Sequence, residues 1–260
     1  VGHIHLGRLP SSKKWRAVAD LISNAGTDVA IAAAAADAAE NDFLSAPTNP
    51  TFIEAVRLLG LIPQAAKQND FIAALRENGI DVPAEPSLSD LVSATTRHLD
   101  QFSKTTSGTN DFSELATRVL VGTLSAEIGA KLPSLFDPIP AELKSQTATF
   151  TRSDEFSRLA RTFFGSLVRE TLSYWLDRTL SAQVGADKRF SSLEQRAAFD
   201  ASLQTYCGEA TRIIKEFAGG WYGKTIFRDG TITPERARVF AGVAFKKITE
   251  ELKRKRADDV

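Results

Sequence analysis

The chain has no methionine and a single cysteine, Cys207, among 260 residues. A lone thiol cannot close an internal disulfide. The fold must therefore rest on its apolar core, and such cysteine usage predicts a reducing, cytoplasmic setting. Long apolar runs are also missing. The longest candidate, Val29 to Ala36, is mostly alanine and stops at Asp37, well short of the roughly 18 residues that a membrane helix needs. No membrane partner is expected. No basic segment followed by an apolar stretch opens the chain, so no signal peptide is expected either. Loss of an initiator methionine before Val1 would account for the first position.

Catalytic signatures are equally scarce. There is no GxSxG nucleophile motif. The three histidines are His3, His5 and the distant His98, and no cysteine pair accompanies them to build a zinc site. The stretch AGGWYGKT resembles a phosphate loop only loosely. That motif needs a strand before it and a helix after it, whereas here a helix precedes it. It is read instead as a glycine-rich helix end. The triplet ELK occurs at 142–144 and 251–253, each without strand context. No cofactor motif is present, and no cofactor is expected.

What is there is a soluble globular composition, 43% hydrophobic and 25% charged, on a chain long enough for ample core. The net charge is zero but unevenly placed. Residues 1–150 carry 12 Lys+Arg against 17 Asp+Glu, and residues 151–260 carry 20 against 15. Opposite surfaces of this kind suit assembly or an anionic ligand.

The strongest pattern runs from 159 to 182 as six tetrads, two apolar residues then two polar: LART, FFGS, LVRE, TLSY, WLDR, TLSA. Each step of four overshoots a helical turn by about 40°, so the apolar stripe winds around the helix. A winding stripe needs different neighbours on successive turns, which predicts a long central helix over about 153–182. Phe163, Phe164, Trp175 and Leu176 should all be buried.

The fold class expected is all-α, a multi-helix globular array around that helix. Ser12, Thr27 and Thr233-Pro234-Glu235 read as helix starts. Thr27 opens an alanine-rich helix to about Leu44. Gly60 and Pro63 are expected to break a helix beginning after Pro50, leaving short helices near 64–67 and 70–77. Phe199, Leu203, Tyr206, Ala210, Ile213 and Phe217 predict one continuous helix from about Ser192 to Phe217. Asp229-Gly230 predicts one small β-hairpin near 221–233. The linker-like TTSGTN at 105–110 divides an N-terminal helical region, 1–104, from a C-terminal one, 111–260, which carries the central helix and a basic terminal helix; one continuous domain is the alternative.

Two sets of residues point to chemistry. A free terminal amine followed by His3 forms a square-planar chelate for Cu(II) or Ni(II), with His5 on the same face of an extended segment. The second set is basic: Lys246, Lys247, Lys253, Arg254, Lys255 and Arg256 on the terminal helix, with Lys224 and Arg228 from the adjacent segment. Such a cluster suits phosphate contact, and KRKR equally complements a helix C-terminus. The carboxylates Asp37 and Glu40 share a helix face without a third ligand. The function expected is a non-catalytic helical subunit or adaptor, acting through a protein partner or self-association in a multi-component assembly. The competing reading is a nucleic-acid binder that uses the basic terminal helix.

Overall fold

The computed structural model describes residues 12–24, 26–106, 110–133 and 140–258. His3 and His5, the middle of the TTSGTN segment and most of the proline-rich stretch near 134–139 lie outside the described residues. Within them the protein is all-α. Among the described residues, twelve α-helices form the array, and the only β pairing is an isolated bridge between Val184 and Phe190.

The side-chain caps explain where many helices begin. Ser12 caps α1 (Lys13–Ser23), Thr27 caps α2 (Asp28–Ala38) and Asn49 caps α4 (Pro50–Lys67), each accepting from the backbone N–H three residues on. The alanine-rich helix breaks at Ala39, giving a separate α3 (Glu40–Ser45). Helix α4 runs unbroken through Gly60 and Pro63. A proline costs an interior helix about 3 kcal/mol, but Leu58, Leu59, Leu61 and Ile62 beside it are all essentially fully buried, and that packing outweighs the local penalty. Gln64–Lys67 is thus the last turn of α4, followed by α5 (Phe71–Glu77) and α6 (Leu88–Thr106).

A buried ion cluster ties α6 to α4. Glu54 accepts two 2.7 Å bonds from Arg57 and a third 2.7 Å contact from His98 Nε2, whose Nδ1 faces the Gly79 carbonyl at 3.1 Å. Burial pushes the Glu54 carboxyl up, but Arg57 and His98 outweigh it and hold it at about 2. Gly79 sits at φ 79°, and a Cβ there would come within 2.7 Å of the His98 ring, so only glycine fits. His98 is a strut between helices.

The central helix is α9 (Ser153–Leu180). It packs against α2, α4, α7 (Asp111–Gly129), α10 (Leu193–Ala210) and α11 (Ile214–Asp229). The winding stripe thus meets several neighbours, as its period requires. Phe163, Phe164 and Leu176 are fully buried; Trp175 is only half-buried, where the stripe opens onto a cavity. Aromatic rings link the layers. Phe52 of α4 lies 6.4 Å from both Phe163 and Phe164, and Phe164 lies 5.6 Å from Phe245 of α12 (Pro234–Asp258). The remaining helix, α8 (Pro140–Thr149), packs on α4.

Two sequence expectations fail in the segment before α12. The helix expected over 192–217 breaks at Thr211–Ile213, so Phe217 belongs to α11. The β-hairpin near 221–233 is absent, because α11 runs through that segment to Asp229. Gly230 adopts φ 70° and returns its N–H to the Ile226 carbonyl, the left-handed residue that ends a helix. Asp-Gly serves a helix end as well as a hairpin, since both need a positive φ. The glycines of AGGWYGKT lie inside the helix. Gly219 lets α11 approach α9 so closely that a Cβ would stand 2.3 Å from the Ser153 carbonyl.

Candidate functional site

The half-buried Trp175 marks a cavity of about 480 Å³ between α3, the N-termini of α4 and α7, and the C-terminal half of α9. The polar end caps bring these elements together. Asn49, capping α4, donates to Asn110 Oδ1 at 3.3 Å and to Ser113 Oγ at 3.1 Å, and Asn110 in turn caps α7. Two helix starts are thereby pinned side by side, with Asp111 at the rim.

Two carboxylates face this cavity, Asp42 from α3 and Asp111 from α7. Adjacent residues of α9 flank them: the Tyr174 hydroxyl donates to Asp111, and the Trp175 indole beside Asp42 favours its charged form. Among the described residues no lysine, arginine or histidine lines the cavity, and neither carboxylate has a basic partner. Burial pushes the Asp42 carboxyl above its usual range, only partly opposed by the indole. Burial and the bond to Asp111 push the Tyr174 hydroxyl up as well. The start of α7 offsets part of the Asp111 charge.

The walls are aromatic. Phe112, Tyr174 and Trp175 line the cavity, and the last two meet edge to face at 5.1 Å. Arg178 stacks over both rings, at 4.3 and 4.2 Å from their centroids, without pairing with either carboxylate. Carboxylates with no ion-pair partner among the described residues, set in aromatic walls, form an environment that attracts an organic cation.

The basic residues singled out in the sequence lie elsewhere. Lys253 reaches Glu40 at 2.6 Å and Arg256 reaches Asp37 at 3.0 Å, while Arg254 pairs with Glu251 and Lys255 with Glu209. Asp37 and Glu40 therefore dock the terminal helix, assisted by Lys14. Lys246, Lys224 and Arg228 are exposed, and Lys247 lies 5.8 Å from the centroid of the Phe217 ring. The C-terminal four and the pair on α11 are not brought into one cluster with the cavity. His3 and His5 are outside the described residues, and no group of three metal-ligating side chains occurs among those described. Cys207 is buried, and burial pushes its thiol up to about 12, which leaves it inert as a nucleophile.

Sequence reasoning missed Asp42 and Asp111. The available signal was Asn110-Asp111 at a helix start, but its proximity to Asp42 and Trp175 spans more than 60 residues of chain and is set by packing alone. Comparison with known proteins leaves the assignment to this geometry: no family model, no curated protein and no solved structure matches the chain.

Proposed function

We propose that this chain is a helical binding protein whose ligand is a small organic ammonium ion, seated in the cavity at the C-terminal half of α9. One observation carries the reading. Two carboxylates without basic partners among the described residues, one bonded by the Tyr174 hydroxyl and the other beside the Trp175 indole, face the same aromatic-walled space. Ring faces and carboxylates both favour a cation, and the aromatic area favours one with an apolar body over a bare metal ion. The test is a titration followed by tryptophan fluorescence and calorimetry, with choline and 1,4-diaminobutane as probes. A neutral alcohol of the same shape and Ca²⁺ serve as comparison arms. Saturable binding of an ammonium probe, weakened at least tenfold in Asp42→Asn/Asp111→Asn, is the expected result. Preference for the neutral alcohol or for Ca²⁺ overturns the reading, as does indifference to the double substitution.

A second reading, assembly through protein contacts, is favoured by a different surface. Phe227 on α11 is 91% exposed, between the exposed Lys224 and Arg228. A large apolar ring in that position, flanked by cations, suits a partner surface. Light scattering across a concentration series tests self-association there: a mass increase abolished by Phe227→Glu supports it, and a monomer at every concentration removes it.

A further inference from the structure

The polar half of the α9 tetrads builds a second, oppositely charged site. Arg161-Thr162, Gly165-Ser166 and Arg169-Glu170 lie between two adjoining cavities of about 470 and 310 Å³, which share Thr162, Ser166 and Arg169. One is closed by α10 and the start of α11, the other by α7. From Arg158 to Arg169 the floor runs about 16 Å at 1.5 Å per residue.

Five basic residues and two acidic ones line this groove: Arg118, Arg158, Arg161, Arg169 and Lys215 against Glu127 and Glu170. The acids are already engaged. Glu127 takes Arg158 at 3.1 Å and the Thr162 hydroxyl at 2.8 Å; Glu170 takes Arg169 at 2.7 Å and Arg118 at 3.4 Å. Arg161 donates to the Gly208 carbonyl, a neutral acceptor, at 3.0 Å, so its charge stays uncompensated. Lys215 is exposed and has no carboxylate partner among the described residues. The groove therefore keeps a positive excess.

Two further observations point to an occupant. Thr123, in the wall of the smaller cavity, is 3% exposed and its hydroxyl has no hydrogen-bond partner. A buried hydroxyl left unpaired is costly, and a ligand oxygen would satisfy it. Gly122 and Gly208 also line the groove, and a Cβ added at either meets nothing within 4 Å. Packing requires neither glycine, whereas an open channel is served by both.

We propose that this groove binds a ligand carrying phosphate groups, held by Arg161 and Lys215 with Thr123 as an additional donor. Guanidinium forks and an ammonium match phosphate oxygens in charge and donor geometry. The phosphates can belong to a nucleic-acid backbone or to a free nucleotide, and the experiment separates these sources. Full-length protein at low salt is titrated with a fluorescein-labelled single-stranded 12-mer by anisotropy, and with ATP and inorganic pyrophosphate by calorimetry. Binding of the 12-mer that falls linearly in log–log form with salt, by about 0.7 per phosphate engaged, identifies the backbone. Saturable binding of ATP or pyrophosphate with weak 12-mer binding identifies the free ligand.

In either case Arg161→Glu/Lys215→Glu should lose at least tenfold in affinity, while Lys253→Ala/Arg256→Ala changes it less than twofold. Gly122→Leu, which narrows the channel without removing charge, guards against a charge-reversed variant that fails to fold, and should weaken binding severalfold. Thr123→Val should weaken binding while raising thermal stability, a split that a merely structural hydroxyl would not give. Absence of binding by all three probes overturns the proposal, and so does binding that survives both groove variants.

Discussion

The two sites served by α9 treat charge in opposite ways. At its C-terminal half, Tyr174 bonds to Asp111 and Trp175 lies beside Asp42, and no basic residue among those described pairs with either carboxylate. Along its middle, Arg158 and Arg169 are tied to Glu127, Glu155 and Glu170, and the surplus cation stays with Arg161 and Lys215. A neutral donor that positions a charge leaves its field intact, whereas an ion pair cancels most of it. The chain as a whole is neutral, yet one helix borders a local excess of each sign.

The strongest way to separate the two regions is at the α9–α11 contact. Gly219→Ala would drive a Cβ against the Ser153 carbonyl and the Ser157 hydroxyl, a backbone clash with little room to relax. A loss of about 3 kcal/mol in chemical denaturation is expected. Weakened phosphate binding, with ammonium binding retained in the folded fraction, would show that this contact positions only the groove.

Acid titration should distinguish the regions next. Lys131 bonding, opposed by burial and reinforced by Arg158, holds the Glu155 carboxyl at about 2, below its ordinary 4.5. A depressed folded pKa contributes stability that is present above 4.5 and is lost as pH falls towards 2. The wild-type protein should weaken across that window, and Glu155→Gln should flatten the curve there. Asp42 runs the other way. Its folded pKa is raised, so the protonated form favours folding, and stability is lost as pH rises through the folded value. At neutral pH, Asp42→Asn should therefore raise the melting temperature modestly while weakening ammonium binding.

The smallest expected effect is at Gly122. With open space around an added Cβ, Gly122→Ala should stabilise α7 by about 0.5–1 kcal/mol, the helix-propensity gain alone. Denaturant melts would register it, and a loss instead would mean that the groove wall is tighter than its geometry indicates.

The central helix was legible in the sequence because a four-residue period leaves few alternatives: its apolar pairs must wind, so several neighbours must cover them. The caps at Ser12, Thr27 and Thr233 were legible for a local reason, a side-chain oxygen within reach of the next free N–H groups. Three misreadings concern where helices stop. Pro63, Gly219 and Asp229-Gly230 carry local signals against continued helix, and at the first two the burial of neighbouring side chains overrode them. At the third the same positive φ was used for a different purpose. The basic tail was visible as a charge run, but its pairing with Asp37, Glu40, Glu209 and Glu251 was not, since those partners are distant in sequence or equally plausible as solvated charges.

The sequence by itself determined the all-α class, the long central helix and most helix starts, because periodicity and capping act over a few residues. Only the tertiary structure decided which charges stand free. Whether Asp42, Asp111, Arg161 or Lys215 meets an opposite charge depends on helices packed from far along the chain, and burial sets the strength of each pairing. That is why both candidate sites emerged from packing around α9, while the most conspicuous basic run in the sequence became an anchor for the terminal helix.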